Sequence, residues 1–517
     1  MSGSLLKSSG VVGGMTLLSR VLGFVRDVLF AAAFGAGAGM DAFLVALKIP
    51  NFGRRMFAEG AFSQAFVPVF TETRTRGAHE DARHLLAHVA GTLGGILGLI
   101  TLVGCLASPL LMGLFAPGFA DDPAQFAMGA DMLRWTFPYL LFISLTAMAG
   151  GVLNSYGRFA VPAVTPVILN VCLIAAAFID AASVRVLAYA VFVAGLLQLA
   201  FQLPSLRSLG LLPRPRWGWG EPRVRRIVSL MVPIMIGSSV AQISLLLDTI
   251  LASFLVSGSV SWLYYADRLM EFPLGIFSIA IGTVMLPTLA THHAQSAGEA
   301  FSATLDWGLR LLLILGVPAA LGLLLLAGPL VVTLFQYAAF TAEDAQMTAW
   351  ALMAYSFGFI GFSLVKVLVP GFYARQETRV PVRFAITALL CGMAMSVTGV
   401  LLAVQQQWAA PHAVLALATS TSAWINAVLL WRRLRQDRVY QPLSGWRLFS
   451  LRLLLANAAM AGVVLSLHGS MAQWLSWGLV ERVQQLGLIV IAAALTYVTV
   501  LLLSGLRPRH LRRSAAV

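Results

Sequence analysis

The chain has 517 residues, of which 59% are hydrophobic and only 11% are charged. Soluble globular domains carry roughly 25% charged residues, so this composition excludes an ordinary soluble protein and indicates an integral membrane protein. The formal net charge of +14 would favour nucleic acid as the partner of a soluble protein. Here the Lys and Arg residues occupy alternate loops, which is the pattern of membrane topology, and we expect no nucleic-acid partner.

Apolar segments long enough to cross a hydrocarbon core roughly 30 Å thick recur along the whole chain. Strands of a membrane barrel would be about ten residues long and would alternate in polarity, so the predicted fold class is all-α, a polytopic membrane protein. About 14 transmembrane helices are predicted, at residues 10–35, 40–70, 85–115, 131–155, 160–180, 184–206, 225–255, 260–290, 306–335, 345–372, 382–404, 412–431, 447–468 and 483–505.

Connections rich in arginine alternate with connections that have almost none. The basic set includes the segments 74–83, 207–226, 375–383 and 432–438, and the other set includes 35–40, 116–130, 257–261, 341–344 and 405–412. The positive-inside rule places the first set in the cytoplasm. An even number of spans then places both termini in the cytoplasm.

The chain also repeats itself with a period of about 220 residues, a feature of transporters built from two related bundles. Pro68 and Pro287 are 219 residues apart, as are Pro162 and Pro381. Six spans per half predict two parallel six-helix lobes followed by two C-terminal helices. The predicted domains are residues 1–206, 225–434 and 447–505.

Ionisable side chains cost about 2.5–3.5 kcal/mol each at the centre of a membrane helix, so each requires a partner or a wet cavity. The first span contains Arg20, Arg26 and Asp27. Because seven residues are nearly two helical turns, Arg20 and Asp27 are expected on one face, and Arg26 on another. Asp248, in the seventh span, is a lone charge that either serves the structure or binds a coupling cation.

The second span contains Asp41, Lys48 and Arg55 at intervals of seven residues, which predicts a charged stripe. Pro50 lies within this stripe and predicts a bend or break. Broken helices often mark the binding site of a transporter.

The eighth span contains Arg268 and Glu271, one repeat period after the second span. The alternative to a binding site is that these charges are internal salt bridges or lie near the membrane surface. The excess of arginine favours a planar bidentate partner such as phosphate or diphosphate. A phosphorylated substrate is therefore the preferred interpretation.

Three motifs carry a resemblance to a known family: SRVLGFVRD at 19–27, the run 41–68 that ends in RRMFAEGAFSQAFVP, and YYADRLMEFP at 264–273. With these segments, and with 154–170 and 366–373, the sequence closely resembles the MurJ (MviN) family of bacterial lipid II flippases. That family is part of the superfamily of multidrug, oligosaccharidyl-lipid and polysaccharide exporters. The resemblance extends over nearly the whole chain.

The resemblance implies a central cationic cavity that receives the substrate headgroup, with Arg20, Arg26, Arg54 and Arg268 as its ligands. Further cavity or gate positions are Ser19, Asp27, Asp41 and Glu271 by resemblance, and Lys48 and Glu59 by their place in the second span. The two C-terminal helices are expected to form a groove for the lipid tail. Some relatives bind sodium, for which Asp248 is the candidate ligand, although the twelfth span has Asn426 where a carboxylate would be needed.

The implied function is to flip lipid II, an undecaprenyl-diphosphate-linked disaccharide-peptide, across the bacterial inner membrane by alternating access. No enzyme activity and no cofactor are expected, and a P-loop motif is absent from the sequence, so the membrane potential is a candidate energy source. The expected partners are lipid II, membrane lipids and the cell-wall synthesis machinery.

Three alternatives remain open at the level of the sequence. The first is a cation-coupled exporter of drugs, for which an acidic cavity is expected, or an exporter of another polyprenyl-diphosphate-linked glycan. The second is a membrane glycosyltransferase, which would need carboxylates or metal ligands on a large extracytoplasmic loop. The third is a scaffold without transport activity.

Overall fold

The computed structural model describes residues 2–55 and 61–506, and the side chains of 10–55, 61–235, 246–275, 282 and 284–506. The regular structure of these residues is helical, without a β-strand, so the prediction of an all-α protein is confirmed. The chain divides into two compact units, Met1–Ser261 and Trp262–Val517.

The first unit contains ten helices in its described residues, followed by the first turn of an eleventh. They are α1 (Ser2–Phe34), α2 (Ala38–Arg54), α3 (Ser63–Arg76), α4 (His79–Leu106), α5 (Ser108–Phe115), α6 (Pro123–Thr136), α7 (Tyr139–Ser155), α8 (Ala160–Ile179), α9 (Arg185–Ser208) and α10 (Pro222–Ser253). The start of α6 illustrates how the sequence places a helix end. Asp122 caps its free amides by accepting hydrogen bonds from Ala124 N and Gln125 N, and Pro123 occupies the first turn.

The second unit contains nearly all of α11 and the remaining helices. They are α11 (Ser259–Ala294), α12 (Gly298–Leu325), α13 (Ala327–Phe335), α14 (Ala342–Tyr373), α15 (Arg379–Gln405), α16 (Pro411–Gln436), α17 (Trp446–Leu467), α18 (Met471–Ser476) and α19 (Leu479–Leu503). Thr341 and Asp344 form a capping box at the start of α14, each side chain bonding the other residue's backbone N–H.

Among the described residues, ten helices or helix pairs are long and apolar enough to cross a membrane, and each coincides with a predicted span. The four other predicted spans, 10–35, 40–70, 225–255 and 260–290, coincide with α1, α2 and α3, α10, and α11. Most of the ionisable residues that the sequence places inside spans lie on these helices. The number of fourteen spans stays a prediction.

Corresponding helices of the two units begin at a constant separation along the chain. The pairs of first residues are His79 and Gly298, Ser108 and Ala327, Pro123 and Ala342, and Ala160 and Arg379, each 219 residues apart. Four helix starts with the same offset agree with the period predicted from the prolines. A repeated set of helix lengths is the signature of a duplicated bundle.

The core of the first unit is built from α3, α4, α7 and α10. Phe62, Phe66 and Phe70 form a stack with successive ring centroids 5.0 and 5.3 Å apart, and all three are buried. Val224 and Ile227 of α10 pack into the same cluster, so α10 belongs to the first compact unit. The predicted lobe boundaries at 206 and 225 stay predictions.

A buried carboxylate organises the segment between α16 and α17 in the second unit. Asp306, on α12, is 1% exposed and accepts hydrogen bonds from Tyr440 Oη at 2.9 Å and Trp446 Nε1 at 2.7 Å. Its second oxygen pairs with Arg310 Nε at 2.7 Å. Burial, and then the neighbouring Asp306 carboxylate, raise the pKa of Tyr440, so this phenol stays a donor.

Arg482 anchors the first turns of α19 to α13 and α18. Its side chain is 5% exposed and donates hydrogen bonds to the carbonyl oxygens of Trp474 at 3.0 Å and Val332 at 3.2 Å. A third bond reaches Gln336 Oε1 at 2.7 Å. Backbone and amide oxygens thus supply the partners of a buried cation. The predicted lipid-tail groove formed by 447–505 stays a prediction.

We predict that Asp306→Ala lowers the stability of the protein by about 3 kcal/mol, because it leaves the buried Tyr440 hydroxyl and the partly buried Arg310 guanidinium without this carboxylate. Thermal unfolding of the purified protein in detergent measures the change. The control is Asp437→Ala, which removes a more exposed ion pair with Arg433 and should change stability by about 0.5 kcal/mol or less. Equal shifts in the two variants would contradict the structural role of Asp306.

Candidate functional site

Three predicted residues of α1 come together around Asn170 of α8. Arg26 donates to Asp27 Oδ1 from Nε at 3.0 Å and from Nη2 at 2.7 Å, and to Asn170 Oδ1 from Nη1 at 3.0 Å. Asn170 in turn donates to the carbonyl oxygen of Ser19 at 3.0 Å. Asp27 is 2% exposed, so its charge is balanced inside the protein by Arg26.

Arg26 and Asp27 form an ion pair although they begin on different faces of α1. Adjacent helical positions diverge by about 100°, but the arginine side chain is long enough to fold back onto its neighbour. Its guanidinium also lies over the Phe30 ring, 5.6 Å from the ring centroid. Arg20 behaves differently, because its side chain is exposed and makes no hydrogen bond or ion pair within the part of the chain that the structure describes.

Asp41, in the first turn of α2, holds the start of α11. It is 1% exposed and accepts hydrogen bonds from Gly258 N at 2.7 Å, Ser261 N at 2.8 Å and Ser261 Oγ at 2.5 Å. A carboxylate at a helix N-terminus satisfies free backbone N–H groups and interacts favourably with the helix dipole. Gly258 has φ of +99°, a conformation that favours glycine.

Lys48, the next residue of the predicted charged stripe, also contacts the segment that precedes α11. Lys48 Nζ donates to Thr249 Oγ1 of α10 at 2.9 Å, so Lys48 and Asp41 both bind the segment 249–261. Helix α2 continues through Pro50 and ends at Arg54 instead of breaking at the proline. Arg54 Nε donates to Asn51 Oδ1 at 3.0 Å. The predicted gate residue Glu59 lies outside the described residues.

The predicted residues of the second unit form one local group on α11. Arg268 Nη1 pairs with Glu271 Oε2 at 2.9 Å, one helical turn further on. Its guanidinium also lies over the Tyr264 ring, 5.0 Å from the centroid. Both charged side chains remain well exposed, at 39% and 49%. An exposed pair of this kind can open to exchange its carboxylate for another anion at little cost.

Asp248 is half-buried on α10. Within the described ranges, no group of three or more His, Cys, Asp or Glu side chains is gathered closely enough to hold a metal ion. Asp248 therefore has no carboxylate cluster around it there, and its proposed role in binding sodium stays a prediction.

A sequence model of the family described as lipid II flippase MurJ matches residues 30–484 of this chain. The probable lipid II flippase MurJ of Vibrio cholerae is 46% identical, over 99% of this chain and 98% of the relative. The lipid II flippase MurJ of Burkholderia cenocepacia is 39% identical, over 99% and 100%. The chain belongs to the MurJ family. The resemblance drawn from the motifs of the first, second and eighth spans is thereby confirmed.

Solved structures agree with the MurJ family fold. A structure of lipid II flippase MurJ in an inward closed conformation has a TM-score of 0.80, over 97% of this chain and 99% of its own, at 24% identity. An inward-facing multidrug transporter of the MATE family has a TM-score of 0.67, over 81% and 95%, at 12% identity. At these identities the likeness concerns the fold alone.

Several residues that build the MurJ-family fold here were not singled out from the sequence. Asn170 is an isolated amide in an apolar helix, and this alone could have marked it as a partner for a buried charge. Thr249 and Ser261 gave no such signal, because hydroxyl side chains are common in membrane helices, where they bond to their own backbone.

We predict that Asp41→Asn increases amide hydrogen exchange at Gly258 and Ser261 by about tenfold or more, because hydrogen bonds to a charged acceptor contribute about 1.5–3 kcal/mol. The asparagine NH₂ group would also face backbone donors. Hydrogen–deuterium exchange with mass spectrometry on the purified protein measures the effect. Asp121→Asn, at an exposed position on the 3₁₀ turn 117–121, is the control and should leave this exchange unchanged. Unchanged exchange in Asp41→Asn would show that the carboxylate does not hold α11.

Proposed function

We propose that this chain flips lipid II from the cytoplasmic to the periplasmic leaflet of the bacterial inner membrane by alternating access. Membership of the MurJ family supports a transporter rather than an enzyme. The ten apolar helices support a protein that crosses the membrane many times. In this proposal the lipid tail stays in the hydrocarbon, and the protein carries only the polar headgroup across.

The observation that carries the headgroup assignment is the contrast between Arg20 and Arg26. Arg26 is matched by Asp27 and Asn170, so its charge already has a partner inside the protein. Arg20, six residues earlier on the same helix, is exposed and has no hydrogen bond or ion pair within the described ranges. A guanidinium in a membrane helix needs an anion or water, and a diphosphate offers planar bidentate acceptors.

Arg54 and Arg268 are proposed as further ligands of the diphosphate. The Glu271 carboxylate that now pairs with Arg268 would be displaced by a phosphate oxygen, and the exposure of that pair keeps the exchange inexpensive. Ser19, Asp41 and Lys48 are proposed to act by positioning, because each is bonded to a neighbouring helix rather than available to a ligand. Asp27 is proposed to position Arg26, with which it forms an ion pair.

The proposed direction follows from charge. With both termini in the cytoplasm, as the arginine-rich loops predict, the membrane potential is negative on the side from which the diphosphate leaves. Each elementary charge gains about 2.3 kcal/mol per 100 mV, so roughly two diphosphate charges moving outward would gain about 5 kcal/mol. We propose further that the helices of 447–505 accept the lipid tail and that cell-wall enzymes use the delivered product.

We predict that, in cells depleted of this protein, wild type and Arg76→Ala restore lipid II on the outer leaflet and Arg20→Ala does not. Arg76 is the matched control, because its side chain is 81% exposed and pairs with Glu72 in an exposed ion pair. Arg20→Lys should restore part of the exposure, since lysine keeps the charge but not the bidentate geometry. Accessibility of lipid II to an externally added probe, at matched membrane levels, is the measurement.

A second pair of variants separates binding from charge balance at Arg26. Arg26→Ala removes the cation that balances the buried Asp27 carboxylate, whereas the double variant Arg26→Ala with Asp27→Ala removes both charges. If Arg26 is a ligand, the double variant stays inactive; recovery of lipid II exposure would show that Arg26 only neutralises Asp27. If depletion does not change exposure in a strain without another flippase, lipid II is not the substrate. A drug or another polyprenyl-diphosphate-linked glycan would then replace it.

A further inference from the structure

A cavity of about 840 Å³ lies in the second unit, where α11 ends, α12 begins and the segment between α16 and α17 passes. This volume is within the range of about 300–1,000 Å³ that is typical of small-ligand sites. None of the proposed headgroup ligands lines it. It lies among the arginine-rich connections, on the face that the positive-inside rule assigns to the cytoplasm.

The charged and titratable lining of this cavity is mainly basic. His292 and His293 come from the last turn of α11, Arg375 from the segment after α14, and Arg438 from the segment after α16. Glu299 is the acidic residue of the lining. Basic side chains thus converge on one cavity from three separate segments of the chain.

Two hydrogen-bond features make the cavity ready for an anion. Arg375 uses Nη2 to bind Glu377 Oε1 at 2.7 Å, while its Nη1 is buried and has no hydrogen-bond partner among the described residues. Helix α12 begins at the same cavity after Ala297, which has no side chain that can cap its first amides. Free N–H groups and the positive end of a helix dipole favour phosphate.

The repeat shows that this chemistry is particular to the second unit. At the fixed separation of 219 residues, Arg74 and Tyr156 occupy the positions that correspond to His293 and Arg375. In the first unit, the Arg74 guanidinium lies over the Tyr156 ring, 4.7 Å from the centroid, and bonds the Ser155 carbonyl. The basic group there is already matched by an aromatic ring. In the second unit two basic side chains replace that pair, and they do not attract each other.

The wall of the cavity is held in place independently of any ligand. Ser302 Oγ donates to Gln441 O at 2.9 Å and accepts from Gln441 N at 2.8 Å. Asp306 fixes Tyr440 and Trp446 on either side of this contact. A preformed wall reduces the ordering that a ligand must otherwise impose.

We propose that this cavity binds the phosphate group of an anionic ligand, with Arg375, Arg438 and the first amides of α12 as its donors. The ligand is either a soluble phosphate compound or the headgroup of an anionic phospholipid in the adjacent leaflet. Both offer the same tetrahedral oxyanion to arginine. This proposal does not depend on the identity of the transported substrate.

The test uses the full-length protein in phosphatidylcholine nanodiscs, with hydrogen–deuterium exchange of amides 299 and 300 as the measurement. One arm adds inorganic phosphate, and the other replaces part of the lipid with phosphatidylglycerol. We expect protection of these amides in at least one arm, and an affinity about tenfold lower in Arg375→Gln with Arg438→Gln, since charge-assisted hydrogen bonds are lost. Protection by phosphate alone identifies a soluble ligand, and protection by phosphatidylglycerol alone identifies a lipid headgroup.

The matched control is Arg383→Gln with Arg432→Gln, which removes two exposed arginines near the same two segments but outside the cavity lining. Arg438→Gln alone serves as the pocket variant if thermal unfolding shows that the double variant does not fold. The proposal is overturned if neither arm protects the wild type, if protection persists undiminished in the pocket variant, or if control and pocket variants lose it equally.

Discussion

The free-energy cost of an ionisable side chain in hydrocarbon shapes this structure more than any other constraint. Each deeply buried charge described above has partners inside the protein, and several of these partners come from distant parts of the chain. Asp27 is matched by Arg26, Asp41 by the start of α11, Asp306 by Arg310 and two ring donors, and Arg482 by carbonyl oxygens. Because an unpaired member would be strongly destabilising, these contacts determine which helices stay together.

The same constraint separates structural charges from those that a ligand can use. The Asp41 carboxylate already accepts three hydrogen bonds, which hold the start of α11. Its hydrogen-bonding capacity is therefore used within the protein rather than by a substrate. Arg20 is exposed, and Arg268 pairs with the exposed Glu271 carboxylate, so both guanidinium groups are accessible to a phosphate oxygen. Family membership identifies the class of transporter, whereas this difference in pairing supports the proposal that Arg20 and Arg268 bind the substrate.

The sequence was sufficient for the fold class, the repeat and the family, because these depend on hydrophobic length and on motifs that are contiguous in the chain. It located Arg26 and Asp27 but did not predict the ion pair between them, since helical periodicity describes where a side chain begins and not where a long one ends. It did not find Asp306, whose partner Tyr440 is 134 positions away. It also missed Arg482, whose partners are mostly backbone carbonyls that any sequence supplies. Partners of these kinds are decided by tertiary packing, which leaves no local pattern.

Equivalent positions of the two repeated units carry side chains with different interactions. Four helix starts keep the same separation in both units, so the positions of Arg74 and His293, and of Tyr156 and Arg375, are equivalent in the frame. In the first unit the cation lies on an aromatic ring, which gives a self-contained contact. In the second unit, Nη1 of Arg375, a residue that lines the cavity, is buried and has no hydrogen bond to the part of the chain that the structure describes. A buried donor without an acceptor costs free energy unless a ligand supplies the acceptor. The difference between the two units therefore supports a ligand-binding role for Arg375 rather than a packing role.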